Sequence, residues 1–227
     1  MTAPRRLALV LIAALLAGCS GTADTVSVSG KAEREVMPDY FEIHLLLEAR
    51  GEDSSALSGL LEERLQQVLG IAREYALDDE DIHAWELQLR QEMHWDPERR
   101  RQVPGEMRLT RKVRLDVDAA ADMGALLGDL LASRATQIEQ IRARLADPEA
   151  VRRELLAEAT RAARQRAEGI AKGDGRSAGR LLGIEEAGSP QHRLMATARM
   201  EQDSPEVGFN PEPVSISAEV NAVFALD

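Results

Sequence analysis

Along this chain the spacing of apolar residues changes period several times, and that alternation limits the fold more than any single motif does. In "DYFEIHLLLEARG" the residues Phe41, Ile43, Leu45 and Leu47 recur at every second position, the spacing of a strand with one buried face. From Asp53 the spacing lengthens. Leu57, Leu60, Leu61, Leu65, Val68, Leu69 and Ala72 follow every three or four residues, which predicts one apolar stripe on a helix ending near Tyr75. Period two returns in "LDDEDIHAWELQLRQEMHW", where Trp85, Leu87, Leu89, Met93 and Trp95 are assigned to a common face. It returns once more with Leu109, Val113, Leu115 and Val117, after the charged connection "DPERRRQVPGE". The expected product is a long antiparallel hairpin with one wet face.

The flanking segments obey the same logic. "TVSVSGKAERE" alternates Val26 and Val28 with serines, and Gly30 reads as a bulge or bend. Asp118 is a candidate cap for a helix through Met123, Leu126, Leu127, Leu130 and Leu131. In "TQIEQIRARL" the phase slips between Ile138 and Ile141, which predicts a bulged strand. Asp147-Pro148-Glu149 marks another helix start, with proline at the first helical position and a negative first turn. Val151, Leu155, Leu156, Ala159, Ala163 and Ile170 are its expected inward residues, and "KGDGRSAG" its end. "RLLGIEEAG" is a further strand, residues 189–213 read as a loose segment, and "VSISAEVNAVFAL" keeps Val214 through Phe224 in phase. About seven strands and three main helices define an α+β class, with helices on one side of a largely antiparallel sheet.

The amino terminus is of another kind. Arg5 and Arg6 precede "LALVLIAALLA", an uncharged run whose helix would rise about 16 Å, too short for a bilayer core of about 30 Å. A positive start, a short apolar middle and small residues describe a signal peptide over residues 1–18. Leu16-Ala17-Gly18-Cys19 resembles the lipobox of bacterial lipoproteins, which implies acylation of Cys19 and cleavage before it. Ser20 after the cysteine resembles the sorting signal for the outer membrane, so the expected location is that membrane, facing the periplasm. Residues 19–24 would be a lipidated tether, and residues 25–227 a single domain.

Cys19 is the single cysteine, so an exported domain must hold together without disulfides. Aromatics are 3% of residues, which leaves the core to Leu, Ile, Val and Ala. Without residues 1–18 the chain carries 26 basic and 39 acidic side chains, a net charge of −13. Nucleic acid and anionic lipid headgroups would be repelled by that surface. Membrane attachment is therefore expected through the lipid on Cys19 alone.

Four segments in order resemble the SIMPL-domain family. "VSVSGKAEREVMPDYFEIHLLLEARGEDSSAL" is similar to its opening strands and first helix, and "IHAWELQLRQEMHW" to its third strand. "ADMGALLGDLLASRATQIEQIRARLADPEAVRRELLAEATRAARQRAEGIA" resembles its central block, and "VSISAEVNAVFAL" its closing strand. The resemblance implies an α+β fold, bacterial envelope proteins described in terms of oxidative-stress defence or immunogenicity, and, in at least one member, a ring-like or channel-like oligomer. It implies no catalytic residue. The family's Gly-Tyr-x-Ala-Ser step is replaced here by "GEMRLTRKV".

A search for chemistry among the residues assigns none. His44, His83, His94 and His192 offer no pair at helical metal-site spacing. Met93, His94, His192, Met195 and Met200 form a candidate soft-ligand set for Cu(I), weighed against Met93 filling core beside Trp95. No serine has the setting of a nucleophile elbow. "GDGRSAG" follows a helix instead of opening one, which suits a helix-ending turn better than a phosphate loop. The expected protein is non-enzymatic, without a cofactor, and works as a homo-oligomer or on another envelope protein. The alternative is a copper-binding module using Met and His.

Overall fold

The computed structural model describes residues 24–187 and 208–227. Its elements run β1 (Thr25–Val36), β2 (Tyr40–Gly51), α1 (Ser54–Glu74), β3 (Ile82–Asp96), β4 (Arg101–Asp118), α2 (Met123–Ser133), β5 (Gln137–Arg144), α3 (Pro148–Gly173), β6 (Ala178–Glu186) and β7 (Val214–Leu226). This is the expected α+β fold, but the strands form two sheets instead of one, ordered β1-β7-β6 and β3-β4-β2-β5. The split arises because the first strand pairs with the last, not with β2. The chain divides into two compact units, Met1–Ala32, Leu156–Ser189 and Ala218–Asp227 in one, Glu33–Leu155 and Pro190–Ser217 in the other.

In the first unit, Val26 and Val28 of β1 and Val220, Ala222 and Phe224 of β7 bury against Ala159, Ala163 and Ala167 of α3. The small helix residues let the strand come close. Gly30 is buried where a methyl group would lie 2.5 Å from the Ala163 nitrogen and closer still to the Ala159 carbonyl oxygen. Close approach of backbones, the other common reason for a strand glycine, explains Gly30 better than the expected bend. The same requirement corrects the helix face. Ile170 is 51% exposed, while Ala167 and Ala171 take the buried positions, since only small side chains fit there. α3 closes as expected in a glycine turn: Gly175 has φ +71, and the Arg176 N–H donates to the Ala171 carbonyl at 2.9 Å.

In the second unit β2 is central, paired antiparallel with β4 on one side and β5 on the other. Its odd residues, with Leu109, Val113, Leu115 and Val117 of β4, are buried under α1, which packs on both strands and on α2. Asp53, where the apolar period changes, caps α1 by accepting from the Ser55 N–H at 2.8 Å. α2 is capped by Asp122, which accepts from the Ala125 N–H at 3.0 Å, and not by Asp118. Asp118 is still paired with Tyr40 in the sheet, so the chain must first turn through Ala119–Ala121. In β5 the register slips between Ile138 and Gln140 opposite Leu45 and His44, the bulge expected from the phase of its isoleucines. The Tyr75 hydroxyl at the end of α1 donates to Asp129 of α2 at 2.5 Å. That bond, with some burial and Asp129's charge, pushes the phenol up to about 12.

Candidate functional site

The second unit's sheet has two unlike faces. The one bearing the even residues of β2 is polar. Glu42 is the buried charged residue of the described part, 8% exposed. It accepts from Arg144 Nη2 at 2.8 Å and lies 3.3 Å from His44 Nε2. Next to them Arg114 donates to Asp116 at 3.0 Å, and His83 Nε2 stands 3.3 Å from the same carboxylate. Farther along, Arg108 pairs with Glu92, and Lys112 with Glu86 at 2.8 Å. Arg108, Lys112 and Glu86 edge an open depression of about 280 Å³ together with Glu48, Arg90 and Glu139. His44 and His83 thus both sit on the polar face, each opposite Arg114.

Burial pushes the Glu42 carboxyl up, but the hydrogen bond and charge of Arg144, with His44 and Arg114, together hold it below its ordinary value of 4.5. A depressed carboxylate contributes stability that is complete above the unfolded-state pKa and lost as pH falls through the lower folded value. Glu42→Gln is therefore expected to cost about 1–3 kcal/mol at pH 7, because it leaves Arg144 half-buried without its charge partner. Urea denaturation checks this: the gap between wild type and variant should narrow as pH drops below about 4.

The opposite face is apolar, and α1 covers only part of it. β3 forms the sheet edge. Glu86 adopts φ +53, and there the register with β4 gains a residue, Trp85 lying opposite Lys112 and Leu87 opposite Arg111. This bulge divides the set that sequence spacing put on one face. Trp85 turns to the polar face, where its ring meets His44 edge-on at 6.4 Å. Leu87, Leu89, Met93 and Trp95 remain on the apolar face yet are 63, 51, 51 and 60% exposed. Met93 therefore does not fill core. The residue types are those of an inner face, but nothing in their spacing shows that the strand carrying them is an uncovered edge.

Met93 and His94 are consecutive on a regular stretch of strand and so point to opposite faces. His192, Met195 and Met200 lie outside the described residues, as do Cys19, residues 1–18 and most of the segment 189–213. Among the described residues no three His, Cys, Asp or Glu side chains gather as a metal-binding group, and no helix is long and apolar enough to cross a membrane. "GDGRSAG" is the helix-ending turn already described. "LDDEDIH" is a turn in which Asp81 accepts from the Asp78 N–H at 2.9 Å.

Comparison with known proteins finds the family model described as SIMPL, protein of unknown function (DUF541), matching residues 26–224. No curated protein matches the chain. A crystal structure from Burkholderia cenocepacia, described as a putative amidohydrolase/peptidase, is 18% identical and covers 60% of this chain and 34% of its own, with a TM-score of 0.19. The chain thus spans about a third of that protein's length.

Proposed function

Because this chain belongs to the SIMPL family, whose function is unknown, we propose that it is a non-enzymatic envelope protein that acts by protein contact while anchored through a lipid on Cys19. Its contacts are with further copies of itself or with another envelope component at the periplasmic side of the outer membrane, in a role linked to oxidative-stress defence. The observation that carries the contact reading is the row of exposed apolar side chains on β3, Leu87, Leu89, Met93 and Trp95. Apolar surface gathered on one edge marks interaction sites in soluble domains. The anchor rests on Cys19 at the end of an apolar run. One chain gives marginal membrane binding, whereas a multiply acylated cysteine gives stable attachment.

Radioactive fatty acid fed to cells is expected to label the wild-type protein and not a Cys19→Ser variant, which should leave the membrane fraction. A variant that stays equally membrane-bound, or a wild type that takes no label, removes the anchor. For the contact reading, sedimentation of the full chain in mild detergent should show species larger than a monomer or a complex with an envelope protein; a lone monomer at every concentration removes it.

A further inference from the structure

The contact reading leaves open which surface meets which, and the sequence of β3 answers in its own symmetry. Between the Glu86 bulge and Asp96 the strand alternates regularly. The second irregularity of its pairing places the additional residue on β4, since Gln91 lies opposite Met107 and Met93 opposite Pro104. This stretch reads Leu87-Gln88-Leu89-Arg90-Gln91-Glu92-Met93-His94-Trp95, and it is self-complementary about Gln91.

A second copy laid antiparallel along this edge, with Gln91 opposite Gln91, sets Arg90 of each chain against Glu92 of the other. Leu89 then meets Met93 and Leu87 meets Trp95, each contact occurring twice. Directly opposite residues of an antiparallel pair share a face, so the apolar pairs fall together on one side and the charge pairs on the other. A shift of two residues one way puts Gln91 against Leu89 and Arg90 against its own copy. The same shift the other way puts Gln91 against Met93 and Glu92 against its own copy. The register centred on Gln91 avoids both faults, matching apolar to apolar and opposite charge to opposite charge.

The edge is open to such a partner. Among the described residues β3 pairs with β4 alone, and Leu87, Leu89, Met93 and Trp95 are more than half exposed. Within its own chain Glu92 pairs with Arg108, while no ion pair forms on Arg90 among the described residues. Exposed edges are ordinarily blunted by lysine, proline or inward charges. Residues 87–95 contain neither lysine nor proline, and their charges lie on the polar face.

From this charge and apolar complementarity we infer that β3 is a homodimer interface, two copies joining edge to edge about a two-fold axis at Gln91 into one continuous sheet. The inference rests on the contact reading and specifies its partner, a second copy of this chain. The isologous form is what a two-fold axis requires.

The test uses the full chain carrying Cys19→Ser, which removes the native thiol, in mild detergent. Gln91→Cys should give a reducible covalent dimer under mild oxidation, because opposed residues lie within disulfide reach. Leu89→Cys and Met93→Cys should each stay largely uncoupled alone and cross-link when mixed. Arg90→Glu, which sets like charge against Glu92 twice, should raise the dimer dissociation constant at least tenfold, measured by sedimentation without any cysteine. An assembly that persists while the Gln91→Cys variant fails to couple overturns this interface and leaves the contact reading standing. A monomer at every concentration overturns both. A monomeric Gln91→Cys variant whose introduced thiol is shielded from maleimide shows the edge covered by its own chain, which also overturns the interface.

Discussion

Gly30→Ala is expected to lower the unfolding free energy by about 3 kcal/mol or more, and the melting temperature by about 6–12 °C, from a change of one methyl group. The methyl would stand 2.5 Å from the Ala163 nitrogen and 2.8 Å from its Cβ, and nearer still to the Ala159 carbonyl oxygen. Two of these three neighbours are helix backbone, which no rotamer change can move. Relief requires α3 to retreat from β1, and that opens space around Ala159, Ala163 and Ala167, now fully buried. Their side chains are too small to refill the gap, so contact is lost along the whole seam. Thermal denaturation followed by circular dichroism checks this. A melting temperature within about 1 °C of wild type would mean that helix and strand are not in the close contact described.

Leu45→Ala should cost about 3 kcal/mol, within the range of about 2–5 usual for a fully buried leucine. Leu45 is 0% exposed on the central strand β2, opposite Val113 of β4 and Ile138 of β5. Its neighbours are held by two ladders of hydrogen bonds and cannot collapse into the space left. Leu89 supplies the comparison, since the residue type, sheet and apolar face are the same. At 51% exposure on the edge strand, its truncation should change the stability of the single chain by less than about 0.5 kcal/mol. Urea denaturation at low protein concentration separates the two. Equal losses would mean that the apolar face of β3 is covered.

These two leucines also mark where sequence ends as a guide. Alternation identified β2, β7 and the second half of β4 with their buried residues, because each is covered on one face there. Arg101–Glu106, expected in the charged connection, instead extend β4 alongside β3. The start of α3 was legible from Asp147-Pro148, where a side chain meets its own neighbouring backbone: Asp147 accepts from the Ala150 N–H at 2.8 Å. β3 carries as regular an alternation, but period two reports only that residues share a face. Whether a helix lies over that face depends on strand order, and no local pattern encodes that β3 is at the edge. Glu86 is a second limit: a bulge at a non-glycine residue leaves no mark in composition, so Trp85 was assigned to the wrong face. At Gly30 the glycine was visible but its reason was not, since the helix it touches lies far along the chain. The lipobox-like stretch around Cys19 is readable by sequence alone and lies outside the described residues.

The pairing of β1 with β7 bears on how the molecule is made. Thr25 leaves the ribosome long before Val214, and β1 meets its neighbour in the sheet only when β7 is free. A contact of such separation closes late and slowly. The nascent chain therefore holds its first strand unpaired through most of synthesis. That condition suits threading through a narrow translocation pore, the route the proposed location demands, before the thirteen-residue β7 arrives to lock it.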